Sequence, residues 1–467
     1  MREIDGIAHA RNCNLRGLPA QSSAVRSKPI LKVRVTLFLL ALCATCAHAR
    51  LVVMHGYADY TSALVWVQAN APGPIRFRWL TEHDGVEHET IIDARAADDD
   101  VVLARLTGLA PGARAAYTIE GDGDVKSGAV RAQPYWTAQA EPRDITIAIG
   151  SCFFLAAAEA PWNASTYGGG YEIFDAIAGK APDVMLWLGD NLYFQALDEL
   201  DPVAMGARYR RQRAHPALAR LLVTTPQLAI WDDHDYGPND ADMSYPLKGE
   251  SLALFRRYWA NPSYGLPDAQ GIFGRARIGD LDLFLLDDRW YRSANRLLDE
   301  PGKTMFGPQQ LAWLRNALVY SRATLKLVAS GSQLWNRANR FEGLNHYAHE
   351  QKALADWLLA QRVEGVMFAS GDRHFTELLR IERPGAYPLY EFTSSPLTSR
   401  PWADPDAAAH ANPDLVPGTL VGKRQFGLIR VTGPAKARRI ALESYDQKGE
   451  LLWRHELGAQ DLQFPRR

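Results

Sequence analysis

The feature that most constrains the fold is a short apolar segment followed at once by polar residues, which recurs along the chain. The segments have the length of buried β-strands, and amphipathic helical patterns occur between them. The strand-like segments are Ile145–Ile149, Val184–Leu188, Leu228–Trp231, Leu281–Leu286, Leu325–Ala329 and Val366–Ala369. Helical patterns include residues 170–180, 203–222, 307–322 and 349–362. Strands that alternate with helices predict an α/β domain, which we assign to residues 143–455.

Residues 50–137 have a different pattern. Ser62–Gln68 and Ile75–Trp79 alternate apolar and polar residues with the period of a β-strand. Turns rich in Gly, Pro and Asp separate several short segments of this kind, and no convincing helical pattern intervenes. The sequence therefore predicts an N-terminal β-sandwich, with Trp66 and Trp79 in its core.

Five of the polar clusters in the α/β domain carry side chains that can bind a metal. They are Cys152, Asp190 with Tyr193, Asp232-Asp233-His234, Gln333, and Asp372 with His374. Functional sites of open α/β sheets form at the carboxyl ends of the strands, so we expect these side chains to converge along one sheet edge. A thiolate, a phenolate and an imidazole with a bridging carboxylate suit Fe(III). Carboxylate and amide oxygens suit a harder ion such as Ca²⁺, Mg²⁺ or Mn²⁺, so a two-metal site is predicted.

Four motifs carry a family resemblance. They are Gly150-Ser151-Cys152, Gly189-Asp190-Asn191-Leu192-Tyr193, Trp231-Asp232-Asp233-His234-Asp235 and Ser370-Gly371-Asp372-Arg373-His374-Phe375. In order and in position at strand ends they resemble the motifs of PhoD-like alkaline phosphatases and, more distantly, those of purple acid phosphatases and other calcineurin-like metallophosphoesterases. The resemblance covers roughly residues 51–445. It implies a fibronectin-like β-sandwich followed by a metallophosphoesterase α/β sandwich, in which two mixed sheets are flanked by helices.

The resemblance also implies a role for each matching residue. The Fe(III) ligands would be Cys152, Asp190, Tyr193 and His374. The second ion, Ca²⁺ or else Mn²⁺ or Mg²⁺, would be held by Asp190, Asp233 and Asp372, with a contribution from Asn261. His234 would act as general acid or stabilise charge while a metal-bound hydroxide attacks the phosphorus of a monoester or diester. A substrate-binding or supporting role is expected for Asp232, Arg289, Gln333 and Arg373.

Two of these positions depart from the wider superfamily. Gln333 and Asp372 stand where that superfamily usually has histidines, and oxygen donors in place of imidazoles should weaken zinc binding. Arg289 and Arg373 follow site segments and are candidates for clamping a phosphoryl oxygen. The alternative for both arginines is an ion pair with a neighbouring carboxylate such as Asp287 or Asp288.

The N-terminus has the pattern of a Sec-type signal peptide. A basic segment at residues 28–34 precedes the apolar run Val35–Ala47, and Ala47-His48-Ala49 is a small-x-small cleavage site. The apolar run is shorter than the ~20 residues that span a bilayer. We therefore expect residues 1–49 to be removed and the mature chain to be periplasmic or secreted. The alternative is a short membrane anchor.

Charge narrows the choice of partners. Beyond residue 49 the chain carries 45 basic and 51 acidic residues, a net charge of −6. This argues against a nucleic-acid-binding surface. It is compatible with a small-molecule or polymer phosphoester as the substrate, because a bound cation can supply the local positive charge. Two other functions are considered: a hydrolase with Cys152 as nucleophile and His234 or His374 as base, and a non-catalytic surface-binding protein. Ester class, leaving group and oligomeric state stay open.

Overall fold

Four β-sheets form the framework of residues 51–155, 167–405 and 407–465, which the computed structural model describes. The predicted export signal at residues 1–49 lies outside these ranges. The strands in chain order are β1 (Val52–Ala58), β2 (Ala63–Gln68), β3 (Gly73–Thr81), β4 (Glu87–Ala94), β5 (Val101–Leu106), β6 (Arg114–Gly121), β7 (Asp124–Arg131), β8 (Ile145–Gly150), β9 (Val184–Leu188), β10 (Gln227–Ile230), β11 (Gly274–Ile278), β12 (Leu281–Leu285), β13 (Leu325–Ala329), β14 (Val366–Ser370), β15 (Thr376–Ile381), β16 (Leu389–Ser394), β17 (Gln425–Thr432), β18 (Arg439–Asp446) and β19 (Leu451–Gly458).

Eight α-helical segments connect or flank the strands of the described residues. They are α1 (Ile173–Gly179), α2 (Pro202–Arg213), α3 (Ala219–Thr224), α4 (Asp233–Tyr236), α5 (Lys248–Tyr258), α6 (Pro308–Tyr320), α7 (Ala348–Ala360) and α8 (Ala407–His410). The helix predicted over residues 203–222 is divided into α2 and α3, because Pro216 cannot donate the backbone hydrogen bond that an uninterrupted helix needs there. Within the described ranges, none of the helices has both the length and the hydrophobicity needed to cross a bilayer.

Two antiparallel sheets, ordered β1-β2-β5 and β4-β3-β6-β7, occupy the N-terminal part. Side chains of both sheets, among them Val65, Phe77 and Trp79, share one apolar core. Trp66 lies on the opposite face of β2, where its Nε1 donates to the carbonyl of Arg257 at 2.7 Å. The predicted place of Trp66 inside the N-terminal core is therefore wrong. Strand β2 is buried along its whole length because the end of α5 covers its second face.

Two six-stranded mixed sheets follow. In the first, ordered β10-β9-β8-β17-β18-β19, strands β8 to β10 are parallel and the rest are antiparallel. In the second, ordered β11-β12-β13-β14-β16-β15, the four inner strands are parallel. Side chains from both sheets, such as Leu186, Phe392 and Leu428, enter one apolar core. The mixed α/β class is as predicted.

The six predicted apolar strands are β8, β9, β10, β12, β13 and β14, with ends that differ by at most one residue. They do not belong to one sheet, however, since three lie in each of the two mixed sheets. The polar clusters therefore converge from two sheets and not along a single edge as expected. The carboxyl ends of both sets of parallel strands face the same cleft.

Candidate metal centre

A cleft of about 1090 Å³ opens at the carboxyl ends of the parallel strands. Its acidic and histidine lining includes Asp190, Asp233, His234, Glu342, His346, Asp372 and His374. Its other lining includes the side chains of Arg296, Arg340, Phe341, Arg373, Arg400 and Trp402. A concave site with converging titratable groups has the general properties of an active site.

The first group of donors lies after β8, β9 and β14. Atoms of Cys152, Asp190 and His374 lie within 4.8 Å of one another. The hydroxyl of Tyr193 donates to Asp190 Oδ2 at 3.1 Å and lies 3.3 Å from His374 Nε2. Because a carbonyl only accepts, His374 Nδ1 donates to the carbonyl of Arg400 at 2.7 Å, which leaves Nε2 available to the cluster. The structure thus brings together the four residues that the resemblance assigns to Fe(III).

Ser395 supports this group and was missed by the sequence analysis. Its hydroxyl donates to Cys152 Sγ at 3.0 Å and accepts from the main-chain N–H of His374 at 2.9 Å. It therefore joins two segments that are far apart in the sequence. Ser395 follows the buried strand β16, so the strand-end pattern that found the other clusters would have pointed to it.

The second group of donors contains Asp190, Asp233 and His234, again within 4.8 Å of one another. Asp190 is common to both groups. Asp233 Oδ2 accepts from the main-chain N–H of Asp240 at 2.8 Å, and the main-chain N–H of His234 donates to Asp190 Oδ1 at 3.3 Å. The His234 ring lies against Tyr193, with 4.2 Å between ring centroids. A carboxylate shared by two donor groups is the arrangement that a bridging metal ligand requires.

The electrostatics of these groups fit a bound cation. Burial raises the pKa of the Cys152 thiol to about 11, and it raises the pKa of Asp190 with help from the charge of Asp233. Burial also raises the pKa of Asp372 to about 6, and Asp372 Oδ2 is buried without a hydrogen-bond partner in the described part of the chain. Such donors all ionise together only beside a strong positive charge. The raised thiol pKa also disfavours Cys152 as a nucleophile.

Backbone conformation sets these residues apart as well. Cys152, Asp190, Asp372 and His374 have φ angles of 61°, 51°, 64° and 56°, in the left-handed region that residues other than glycine seldom adopt. Residues held in such conformations cluster at functional sites. At Gly189 an added Cβ would lie 2.6 Å from Cβ of Asp232, so a glycine is needed for the two loops to approach.

A third acidic group consists of Asp232, Asp233 and Glu342. The positive charge beside it is the guanidinium of Arg289. Arg289 is fully buried; its Nε donates to Asp232 Oδ1 at 2.7 Å and its Nη1 donates to Glu342 Oε1 at 3.2 Å. For Arg289 the alternative of an ion pair is therefore confirmed. Its main partners are Asp232 and Glu342, whereas Asp288 lies 4.0 Å away. Glu342 belongs to no motif, so no sequence signal pointed to it.

Two candidate residues have structural roles. Gln333 Nε2 donates to Glu377 Oε1 at 2.6 Å and to Thr393 Oγ1 at 2.8 Å. Asn261 donates to the carbonyl of Ala229 at 2.7 Å and accepts from its N–H at 3.0 Å, so its amide completes the open edge of β10. Neither side chain lines the cleft. The expected contribution of Asn261 to the second metal site is therefore corrected.

Solved phosphatases share this fold. A structure of PhoD matches with a TM-score of 0.71 at 17% identity, covering 87% of this chain and 91% of that chain. A structure of purple acid phosphatase PPD1 from seeds of yellow lupin (Lupinus luteus) matches with a TM-score of 0.63 at 11% identity, covering 89% of this chain and 76% of that chain. The chain therefore shares its fold with these two phosphatases.

The family follows from the sequence match. The model of the family described as PhoD-like phosphatase matches residues 153–418, which is more than half of the chain. The chain belongs to the PhoD-like phosphatase family. No curated protein matches the sequence. Family membership supports a phosphoesterase function, and the clustered donors supply candidate metal-binding groups.

Proposed function

We propose that this chain is an exported, metal-dependent phosphoesterase that hydrolyses phosphate monoesters, diesters or both. The observation that carries the proposal is the position of Asp190, whose carboxylate belongs to two donor groups on the wall of one cleft. Cys152, Tyr193 and His374 complete the group proposed for Fe(III). Asp190 and Asp233, with Asp372, are the ligands proposed for Ca²⁺, Mn²⁺ or Mg²⁺; Asp372 lines the same cleft but lies outside the donor group of Asp190, Asp233 and His234.

The chemistry follows from the donors and from His234. Bound metal ions would supply positive charge that lowers the pKa of water toward ~7 and stabilises phosphoryl oxygens. Asp190 fixes the spacing of the two donor groups because its two oxygens accept from Tyr193 and from the main chain of His234. The His234 ring lines the cleft beside these groups, which supports a role in protonating the leaving oxygen.

The first experiment follows hydrolysis of 4-nitrophenyl phosphate and bis(4-nitrophenyl) phosphate across pH, before and after chelation and metal add-back. We expect activity to vanish with chelator and to return with iron together with Ca²⁺ or Mn²⁺. Asp190→Asn should abolish hydrolysis and lower the content of both metals. Arg315→Gln is the control, because Arg315 lies on α6 over the Trp357 ring and outside the cleft. Hydrolysis of neither ester under any metal condition would refute the proposal.

The role of His234 has a separate test. His234→Ala is expected to lower kcat by roughly 100- to 10,000-fold, the range for losing a general acid. The loss should be larger for alkyl phosphates than for 4-nitrophenyl phosphate, because the nitrophenolate leaves readily without a proton. Equal losses for both leaving groups would exclude proton donation and leave charge stabilisation as the role of His234.

Export and the nature of the N-terminal part belong to the same proposal. We propose cleavage after Ala49 and a fibronectin-like β-sandwich as the first domain of the mature chain. The antiparallel sheets β1-β2-β5 and β4-β3-β6-β7 with their common core support the second point. N-terminal sequencing of protein from a cell fractionation tests the first. Full-length protein in the cytoplasm would contradict it.

A further inference from the structure

Arg373 is an unusual cation within the cleft. It lies between Asp372 and His374, both of which have left-handed backbone conformations, and its side chain lines the same cleft as the metal donors. Only 9% of its surface is exposed. Its charge is therefore largely removed from bulk water, which is costly unless the charge has a partner.

Three aromatic rings hold the Arg373 guanidinium in position. Its Cζ lies 4.8 Å from the ring centroid of Phe341, 5.4 Å from that of Phe375 and 5.5 Å from that of Trp402. Phe341 and Trp402 also contact each other edge to face, at 5.7 Å between centroids. Arginine over aromatic faces is stabilised by cation–π attraction, which leaves its N–H groups free to donate.

These N–H groups have no hydrogen-bond acceptor among the described residues. The nearest carboxylate oxygen is Asp372 Oδ2 at 3.7 Å, beyond hydrogen-bonding distance, and Nε of Arg373 is buried without a partner. Other buried arginines differ: Arg289 donates to Asp232 and Glu342, and Arg438 donates twice to Asp280, at 3.0 and 2.6 Å. Arg373 thus forms an ion pair with Asp372, as the alternative in the sequence analysis has it, but its N–H groups make no hydrogen bond within the described part of the chain, and it borders the cleft.

We propose that Arg373 donates to a terminal oxygen of the substrate phosphoryl group and makes the site selective for phosphomonoesters over phosphodiesters. The inference rests on the proposed function and names its ester class. A monoester presents three terminal oxygens and carries more negative charge than a diester, which presents two. Metal ions held by the donor groups around Asp190 would bind other phosphoryl oxygens, so the guanidinium favours the ester that has one more terminal oxygen. Its planar fork suits such an oxygen better than a point charge does.

The test compares Arg373→Gln with wild type on the monoester 4-nitrophenyl phosphate and the diester bis(4-nitrophenyl) phosphate. We expect kcat/KM for the monoester to fall roughly 10- to 100-fold, the range for losing one hydrogen bond to a charged group, and kcat/KM for the diester to change less than about threefold. Arg315→Gln is the matched control. Arg315 also lies over an aromatic ring, and its Nε has no hydrogen-bond partner among the described residues, but it lies outside the cleft. Equal losses on both esters, or no loss on the monoester, would overturn the inference.

A binding measurement separates this inference from the proposed function. Calorimetric titration of the metal-loaded protein with inorganic phosphate should show a weaker Kd for Arg373→Gln, also by roughly 10- to 100-fold, and an intermediate Kd for Arg373→Lys, which keeps the charge without the fork. Metal content and circular dichroism show whether Arg373→Gln is folded. If it is not, the phosphate affinity of Arg373→Lys relative to wild type decides the test. If wild type hydrolyses neither ester, the proposed function fails, but the phosphate titration still tests Arg373. Unchanged phosphate affinity in both variants would refute its role.

Discussion

Replacement of Arg289 by Met is expected to destabilise the fold severely, by about 3–5 kcal/mol in the free energy of unfolding. The guanidinium is fully buried and donates to Asp232 and Glu342, which are themselves buried. Methionine approximates the volume of the side chain but removes its charge. Two acidic side chains then remain in a low-dielectric region without their cation.

The magnitude follows from these contacts. A hydrogen bond to a charged group contributes about 1.5–3 kcal/mol, and Arg289 makes such bonds to two carboxylates. Protonation of the unpaired carboxyls limits the loss of stability in Arg289→Met. It is accessible because burial already raises the pKa of Asp232 even with Arg289 present. The cost should therefore grow with pH, as protonation of the unpaired carboxyls becomes less favourable.

The assay is urea denaturation of chelator-treated protein, followed by tryptophan fluorescence and by circular dichroism. Urea is preferred because guanidinium chloride screens charges, and coincident transitions from two probes test whether unfolding is two-state. Arg76→Met is the control: Arg76 pairs with Glu89 at the surface, so the urea midpoint should not move.

A second substitution tests the physical reason. Adding Glu342→Gln to Arg289→Met should recover part of the lost stability, because it removes one of the unpaired carboxylates. An Arg289→Met midpoint equal to that of wild type would refute the assignment of Arg289 as the internal counterion. Failure of the second substitution to recover any stability would show that packing, and not charge, dominates.

Three further predictions concern individual residues. His55 bonds to Tyr117 Oη at 2.9 Å, and burial lowers its pKa from 6.5 to about 4, so its contribution to stability is complete above pH 6.5 and is lost as pH falls toward 4. In His55→Gln the urea midpoint should change less with pH across this range. A pH dependence of the midpoint equal to that of wild type would contradict the assignment. Asn261→Ala should lower the urea midpoint, because the main chain of Ala229 loses its partner, yet leave metal content by elemental analysis unchanged. Cys152→Ser should lower iron content more than that of the second metal, and equal losses would argue against two distinct sites.

Much of the strand framework and part of the metal centre could be predicted from sequence. The bounds of β9 and β13 agree with the predicted segments, because an uninterrupted apolar run between turn residues specifies a buried strand locally. The polar residues after such strands were equally visible, and four of them, Cys152, Asp190, Tyr193 and His374, do converge. In each case the deciding information lies within a few consecutive residues.

The tertiary structure alone decided which strands are neighbours and which polar groups are paired. Strand β17 lies beside β8, and Glu342 reaches Arg289 across 53 residues of sequence. The strand pattern places Trp66 in the core, and the family resemblance implies that Asn261 is a ligand, but these residues contact α5 and the edge of β10 instead. Burial pattern and strand period are encoded locally, whereas the partner of a buried polar group depends on long-range packing. The sequence therefore determined which chemical groups line the strand ends, and the fold determined which of them bind one another and which line the cleft.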